Sequence, residues 1–313
     1  MSLGQARPIV GGSPAAAHAF PFAVYLSIET QPRWHAVCGG TLISQRHVVT
    51  AAHCVHGVAD RARAVRVGVG DAQVRRQARV RARAVHVHPR FDARTLANDI
   101  AVVELERDVA PDGGGRARRV PLYFGPVDAG TVVTAMGWGV TTNAAGARTV
   151  AAMNRVDLVV ADPAECRAVD AAFATSNGPF LCTATHPGAR DQCSGDSGAP
   201  VVMAVGRRHG RYHRRPAPDL RLVALTSYGD NAAHDARPPC ADPRGFGFST
   251  HVAYYQAFLT NATGLSRAQL EAPVRADRLQ LVSAAAPPPA AAAAWLHMLA
   301  LLLACVLVTV RRH

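Results

Sequence analysis

The sequence predicts an all-β barrel or sandwich followed by a membrane-spanning helix at its C-terminal end. Three observations carry this. The body alternates short β-branched segments with Gly/Pro/Asp turns and shows few helical periods. Hydrophobic residues make up 49% of the 313, enough to bury a sizeable core. An unbroken apolar run then lies close to the end of the chain.

The strand candidates, in chain order, are Phe22–Ile28, Thr41–Ile43, Ala64–Val69, Ile100–Leu105, Thr131–Met136, Pro200–Val205 and Leu220–Ser227. Aromatics are only 6%, so Val, Ile and Leu must fill most of the interior. A short helix is expected near Pro163–Val169, and Val252–Leu259 reads as the start of a closing C-terminal helix. Beyond it the composition shifts. Leu265–Leu281 is charged and amphipathic, and Ala284–Ala294 is an Ala/Pro stretch around Pro287-Pro288-Pro289. This reads as a linker, semi-rigid where proline dominates. From Ala290 to Val310 only His297 and Thr309 are polar. A helix of that length spans roughly 30 Å, the thickness of a bilayer's hydrocarbon core. Arg311-Arg312-His313 follow at once, and basic residues favour the cytoplasmic side. The expected order is therefore a propeptide remnant at 1–8, a β-rich body at 9–262, a stalk at 263–289, a transmembrane helix at 290–310 and a cytoplasmic tail at 311–313. The body would lie on the extracellular side of a cell membrane.

Of the seven cysteines, six lie in the body, at 38, 54, 166, 182, 193 and 240. An even set fits an oxidising compartment and three disulfides, with connectivity left open by spacing alone. Cys305 falls inside the apolar run. Met1 to Pro8 contain no apolar signal-peptide core, which places the expected start of the chain upstream.

The formal charge is +12, from 34 basic residues, all arginine, against 22 acidic. It concentrates in Arg61–Arg94 and again in Arg207–Arg215. Both read first as solvated loop surface; contact with an anionic surface is the alternative. No nucleic-acid partner is expected.

Three patterns bear on chemistry: Thr50-Ala51-Ala52-His53-Cys54, Asn98-Asp99-Ile100-Ala101-Val102 and Cys193-Ser194-Gly195-Asp196-Ser197-Gly198-Ala199-Pro200. With Ile9-Val10-Gly11-Gly12 they resemble, in order and separation, the motifs of the trypsin branch of the chymotrypsin family. The likeness runs from Ile9 to about Asn261. It implies two six-stranded antiparallel β-barrels with the site in the cleft between them. It also implies a serine endopeptidase with His53, Asp99 and Ser197 as its triad. A serine hydroxyl is a poor nucleophile at neutral pH and needs a base to accept its proton. His53 is that base and later the acid, and Asp99 fixes its tautomer. The Gly195 and Ser197 amides form the oxyanion hole, each contributing about 3–4 kcal/mol in the transition state.

The resemblance implies more at residue level. Asp191, six residues before the nucleophile, sits at the floor of the primary pocket and pairs with Arg or Lys of a protein or peptide substrate. Gly229 and Gly247 are its wall glycines. Phe246 stands where trypsins commonly carry proline. Ser227 hydrogen-bonds the triad aspartate, and Tyr228 floors the next subsites. The implied disulfides are Cys38–Cys54, Cys166–Cys182 and Cys193–Cys240. In a zymogen of this type the freed amine of Ile9 pairs with Asp196. Arg7-Pro8 precedes Ile9, so a tryptic cut leaves the wrong terminus and another protease is expected to trim the chain. No cofactor and no metal is expected: Gly68–Val80 offers Asp71 as its one acid for calcium. His86, His88, His209 and His213 lack a matched Cys/His set for zinc. The competing reading is a non-catalytic, protease-shaped module that binds anionic polymers.

Overall fold

Alternation of apolar and polar side chains decides where strands form and which face they bury. The computed structural model describes residues 9, 11–31, 34–109, 116–144, 146–185, 190–206, 219–235 and 238–274. In chain order, strand β1 is Ser13–Pro14, β2 is Ala23–Gln31, β3 is Trp34–Leu42 and β4 is His47–Thr50. Helix α1, Ala52–Val55, and a 3-10 segment, His56–Ala64, precede β5 (Val65–Val69), β6 (Ala78–Val87) and β7 (Ala101–Leu105). Strands β2-β3-β4-β7-β6-β5 close into a barrel. Its lumen takes Val24, Leu26 and Ile28 from β2 and Val65 and Val67 from β5, all fully buried. Each such side chain contributes about 1.5–3 kcal/mol over its exposed state.

The second half supplies β8 (Val132–Gly137), β9 (Asn154–Val160), helix α2 (Pro163–Val169), β10 (Phe180–Ala184), β11 (Pro200–Val205), β12 (Asp219–Asn231) and β13 (Gly245–His251). They pair in the order β9-β10-β13-β12-β11-β8, and β8 pairs with β9 to join the two ends. The expectation of two six-stranded antiparallel barrels therefore describes the fold. The short β1 adds a seventh strand by pairing with β9. A core between the barrels joins Phe22, Val49 and Ile100 from the first to Trp138, Leu222 and Leu225 from the second.

Local chemistry sets most boundaries. Helix α2 starts where expected because Asp162 accepts from Ala164 N and proline occupies the first turn. The closing helix starts later than expected: α3 spans Gln256–Thr263. Val252 N donates to Val223 O at 3.0 Å, which keeps Val252–Tyr255 in turns against the sheet. Strand β12 outlasts its apolar run because its pairing with β13 continues to Asn231 opposite Gly245. Much of the basic stretch 61–94 is not loop: it forms β5 and β6.

The body also extends past the boundary placed at 262. Helix α4, Arg267–Glu271, begins at a capping box of Ser266 and Gln269. Its Leu270 is fully buried in the inter-barrel core. Leu122 N donates to Leu270 O, Arg119 to Ala272 O and Arg221 to Glu271 O. The compact unit accordingly runs to Val274, so the first part of the assigned stalk is folded against the barrels. Among the described residues no helix is long and apolar enough to cross a membrane. The span at 290–310, the tail, the 1–8 segment and the basic residues 207–215 lie outside them.

Candidate active site

Two barrels meeting edge to edge bring together residues distant in sequence. His53 lies on α1, directly after β4. Ala51 and Ala52 are fully buried, so only small side chains fit at the start of this turn. Asp99 sits just before β7 and is also fully buried. The preceding Asn98 has φ 57°, a left-handed conformation that asparagine tolerates better than most residues. This turn aims Asp99 inward. His53 N donates to Asp99 Oδ1 and His53 Nδ1 lies against Asp99 Oδ2, both at 2.8 Å. A proton on Nδ1 satisfies the carboxylate and leaves Nε2 as an acceptor. The second barrel holds both the carboxylate and the main chain of Asp99. Ser227 Oγ, on β12, donates to Asp99 Oδ2, and Thr250 Oγ1, on β13, donates to Asp99 O.

Ser197 occupies the loop between β10 and β11, held from both barrels. Gly39 N on β3 donates to Ser197 O at 2.8 Å, and Gly198 N donates to Thr226 O at 2.7 Å. The disulfide sulfur of Cys54 lies 3.7 Å from Ser197 O, next in sequence to His53. Gly198 has φ 74°, and a Cβ there would collide with Thr50 Oγ1 and Gly39 O. Gly195 has φ 94°, with Gly139 Cα 3.2 Å from where a Cβ would stand. Both positions therefore demand glycine on backbone grounds, beyond the open oxyanion approach that the sequence suggests for Gly195.

A cavity of about 290 Å³ opens beside Ser197, lined among others by Asp191, Ser227, Tyr228, Gly229, Phe246 and Gly247. Asp191 Oδ2 accepts from Ala241 N at 2.9 Å. Burial pushes the Asp191 carboxyl up to about 7; the Ala241 and Gln192 amides pull the other way, and nearby Asp196 adds to the rise. A Cβ on Gly247 would stand 3.7 Å from Asp191 Oδ1, in the passage to the carboxylate. One on Gly229 would meet only Phe246 O, at 3.6 Å. Tyr228 stacks on Phe248 at 4.9 Å and donates its hydroxyl to Asp170 Oδ2 at 2.9 Å. Burial and the adjacent Asp170 charge hold that phenol protonated. Asp170, Thr250 and Gly39 carry no local motif, so sequence reasoning missed them.

Ile9 is fully buried among Val127, Val133 and Val156. The Asp196 carboxylate, 1% exposed, accepts from Gly139 N at 2.7 Å and Cys193 N at 3.0 Å. Among the described residues it has no ion pair with a cation, and burial pushes it up to about 6. The three disulfides join Cys38 to Cys54, Cys166 to Cys182 and Cys193 to Cys240, as the resemblance implies. Cys38, His53 and Cys54 cluster tightly enough to suggest a metal. Both sulfurs are consumed by the disulfide, so no thiolate is available there.

Comparison with known proteins adds the following. A family model described as Trypsin matches residues 9–259. The chain is 31% identical over 251 residues to serine protease 56 of Homo sapiens, covering 80% of this chain and 38% of that relative. It is 30% identical over 252 residues to trypsin epsilon of Drosophila erecta, covering 80% and 86% of the two chains. It is also 30% identical over 202 residues to a chymotrypsin of Phaedon cochleariae, covering 62% and 69%. The chain thus spans well under half the length of serine protease 56, at 38%.

Proposed function

The chain belongs to the trypsin family, and from that premise we propose that it is a serine endopeptidase cleaving after Arg or Lys through His53, Asp99 and Ser197. One observation carries the reading: the buried Asp99 holds both His53 N and His53 Nδ1, and the cavity beside Ser197 contains a buried carboxylate at Asp191. In the proposed reaction Ser197 Oγ attacks the scissile carbonyl as His53 Nε2 takes its proton. The Gly195 and Ser197 amides stabilise the oxyanion, and His53 then protonates the leaving amine. Water, activated by the same imidazole, releases the acyl group. Ser227 holds Asp99 in place while charge develops on the ring.

The specificity claim rests on Asp191. A buried carboxylate without a cationic partner favours a substrate that brings one. Relatives called trypsin and chymotrypsin are similar to the chain at the same 30% identity, so the pocket has to be tested directly. The proposed activation frees the amine of Ile9 to pair with Asp196. The proposed location is the outer face of a membrane, with residues 290–310 as anchor.

The test is protein beginning at Ile9, assayed on arginyl and phenylalanyl peptide substrates with Ser197→Ala as control. Cleavage of the arginyl peptide, lost in the control, is expected. Cleavage after phenylalanine instead would overturn the specificity. Cleavage of neither by correctly processed protein would favour the binding module. Resistance of the full chain to alkaline extraction from membranes tests the anchor.

A further inference from the structure

Outside the cleft, positive charge gathers on one face of the first barrel. Along β6, Val80 and Ala82 point inward, at 2% and 1% exposure, while Arg79, Arg81 and Arg83 face solvent. Alternate residues on a strand stand about 7 Å apart, so Arg79 and Arg81 follow at that step, while Arg83 falls at an irregularity in the pairing with β7. On the neighbouring strand β5, the exposed Arg66 lies directly opposite Arg81. The 3-10 segment that follows His53 brings Arg61 and Arg63 to a cavity of about 600 Å³ that Arg83 also lines, together with Asp60 and Glu29. At the other end of the row Arg107 donates to Arg79 O and, with Arg76, lines a cavity of about 280 Å³.

The row is poorly neutralised. Glu104 takes Arg83 at 3.0 Å, but among the described residues Arg61, Arg63, Arg66, Arg79 and Arg81 form no ion pair with a carboxylate. Like charges directly opposite across an antiparallel pair destabilise a sheet. Arg66 against Arg81 is therefore unfavourable in the isolated fold, and a bound anion would relieve it.

We propose that this face is a docking surface for a linear sulfated polysaccharide laid along the arginines of β5 and β6. Guanidinium groups present a planar fork that pairs with tetrahedral oxyanions by two hydrogen bonds, and arginine is the only cation the row contains. A lipid surface fits less well. Interfacial binding needs an apolar face to insert, and the exposed large apolar side chains among the described residues are Val132, Val159 and Tyr254, none on β5 or β6. Single-stranded nucleic acid needs stacking platforms between the cations, and β5 and β6 carry no Phe, Tyr or Trp.

The experiment measures binding of a labelled heparin octasaccharide to the full chain carrying Ser197→Ala, across a salt series. Binding is read without turnover, so the outcome is independent of the proposed protease activity. The triple variant Arg66→Gln/Arg81→Gln/Arg83→Gln is expected to bind at least about tenfold more weakly, with the slope of log K against log salt flatter by roughly two to three. A desulfated octasaccharide should bind weakly to either protein. Arginine-to-glutamine changes within 207–215 should leave the affinity within about threefold, since the proposed surface does not include them. Wild-type affinity in the triple variant would overturn the proposal. So would a loss confined to the 207–215 variant, or tighter binding of single-stranded DNA or phosphatidylserine vesicles than of the octasaccharide. Thermal melts establish that the variant folds. If it does not, Arg66→Glu, which places opposite charges across the pair, serves the same comparison.

Discussion

The charge of Asp191 yields the sharpest prediction. In the empty cavity its carboxyl rises from 3.8 to about 7, chiefly by burial. Three units at about 1.36 kcal/mol each make ionisation roughly 4 kcal/mol harder than in water. A substrate guanidinium that pairs with the carboxylate offsets this penalty, and a pair that restores the ordinary pKa gives an advantage over a neutral isostere on the order of 10³-fold. The assay is the ratio of kcat/KM for an arginyl peptide to that for its citrullinyl counterpart, measured against pH. Steps common to both substrates cancel in the ratio, leaving the pocket. Because kcat/KM reports the free enzyme, the ratio should be level above pH 7 and fall about tenfold per unit below it. Asp191→Asn should lower the arginyl kcat/KM by about 10²–10³, leave the citrullinyl value within about threefold, and abolish the pH dependence. A flat ratio across pH 7, or an unchanged arginine preference in Asp191→Asn, would refute the assignment of Asp191 as the cation's partner.

Other consequences are independent of that one. The same shift acts on stability: an acid whose folded pKa is raised contributes stability that is present below its unfolded pKa and lost as pH rises through the folded one. Asp191→Asn should thus match wild type near pH 4 and exceed it by up to about 4 kcal/mol at pH 8, read by urea unfolding. Ser227→Ala removes one of the donors to Asp99 and should lower kcat about 10- to 100-fold with little change in KM, since a lost hydrogen bond to a buried charge costs about 1.5–3 kcal/mol. Leu270→Ala should cost about 2–5 kcal/mol in denaturant unfolding, because the side chain is fully buried; a loss under about 0.5 kcal/mol would return α4 to the stalk. Replacing Cys193 and Cys240 by serine should cost about 2–4 kcal/mol and raise KM, because their bond closes the loops that line the cavity.

Legibility divided along a physical line. Continuous apolar runs such as Pro200–Val205 coincide with the structure because their composition is enough to mark them as strands. Helix α2 coincides likewise with its expected range, and the Asp162 cap and Pro163 that start it act locally. What could not be read depends on partners remote in sequence. The late start of α3 follows from the bond of Val252 to Val223. The folding of 265–274 against the body follows from Leu122, Arg119 and Arg221. At the site, His53, Asp99 and Ser197 stand in recognisable motifs. The supports, Gly39 at Ser197, Thr250 at Asp99 and Asp170 at Tyr228, are ordinary residues whose roles exist only after the chain has folded around them.

The two raised carboxylates share one cause. Asp191 and Asp196 lie five residues apart in a loop that the Cys193–Cys240 bond fastens, and Asp196 contributes to the rise at Asp191. Each is held by backbone amides and burial, without a cation among the described residues. Two positive charges would complete the loop: the substrate side chain at Asp191 and, under the proposed processing, the Ile9 amine at Asp196. The second acts on the first. A cation at Asp196 cancels its repulsion of Asp191, lowers the Asp191 pKa and makes the pocket anionic over a wider pH range. Protein beginning at Ile9 should therefore bind benzamidine to a lower pH than the full chain does. An identical pH midpoint in both forms would mean that the two carboxylates are not coupled through this loop.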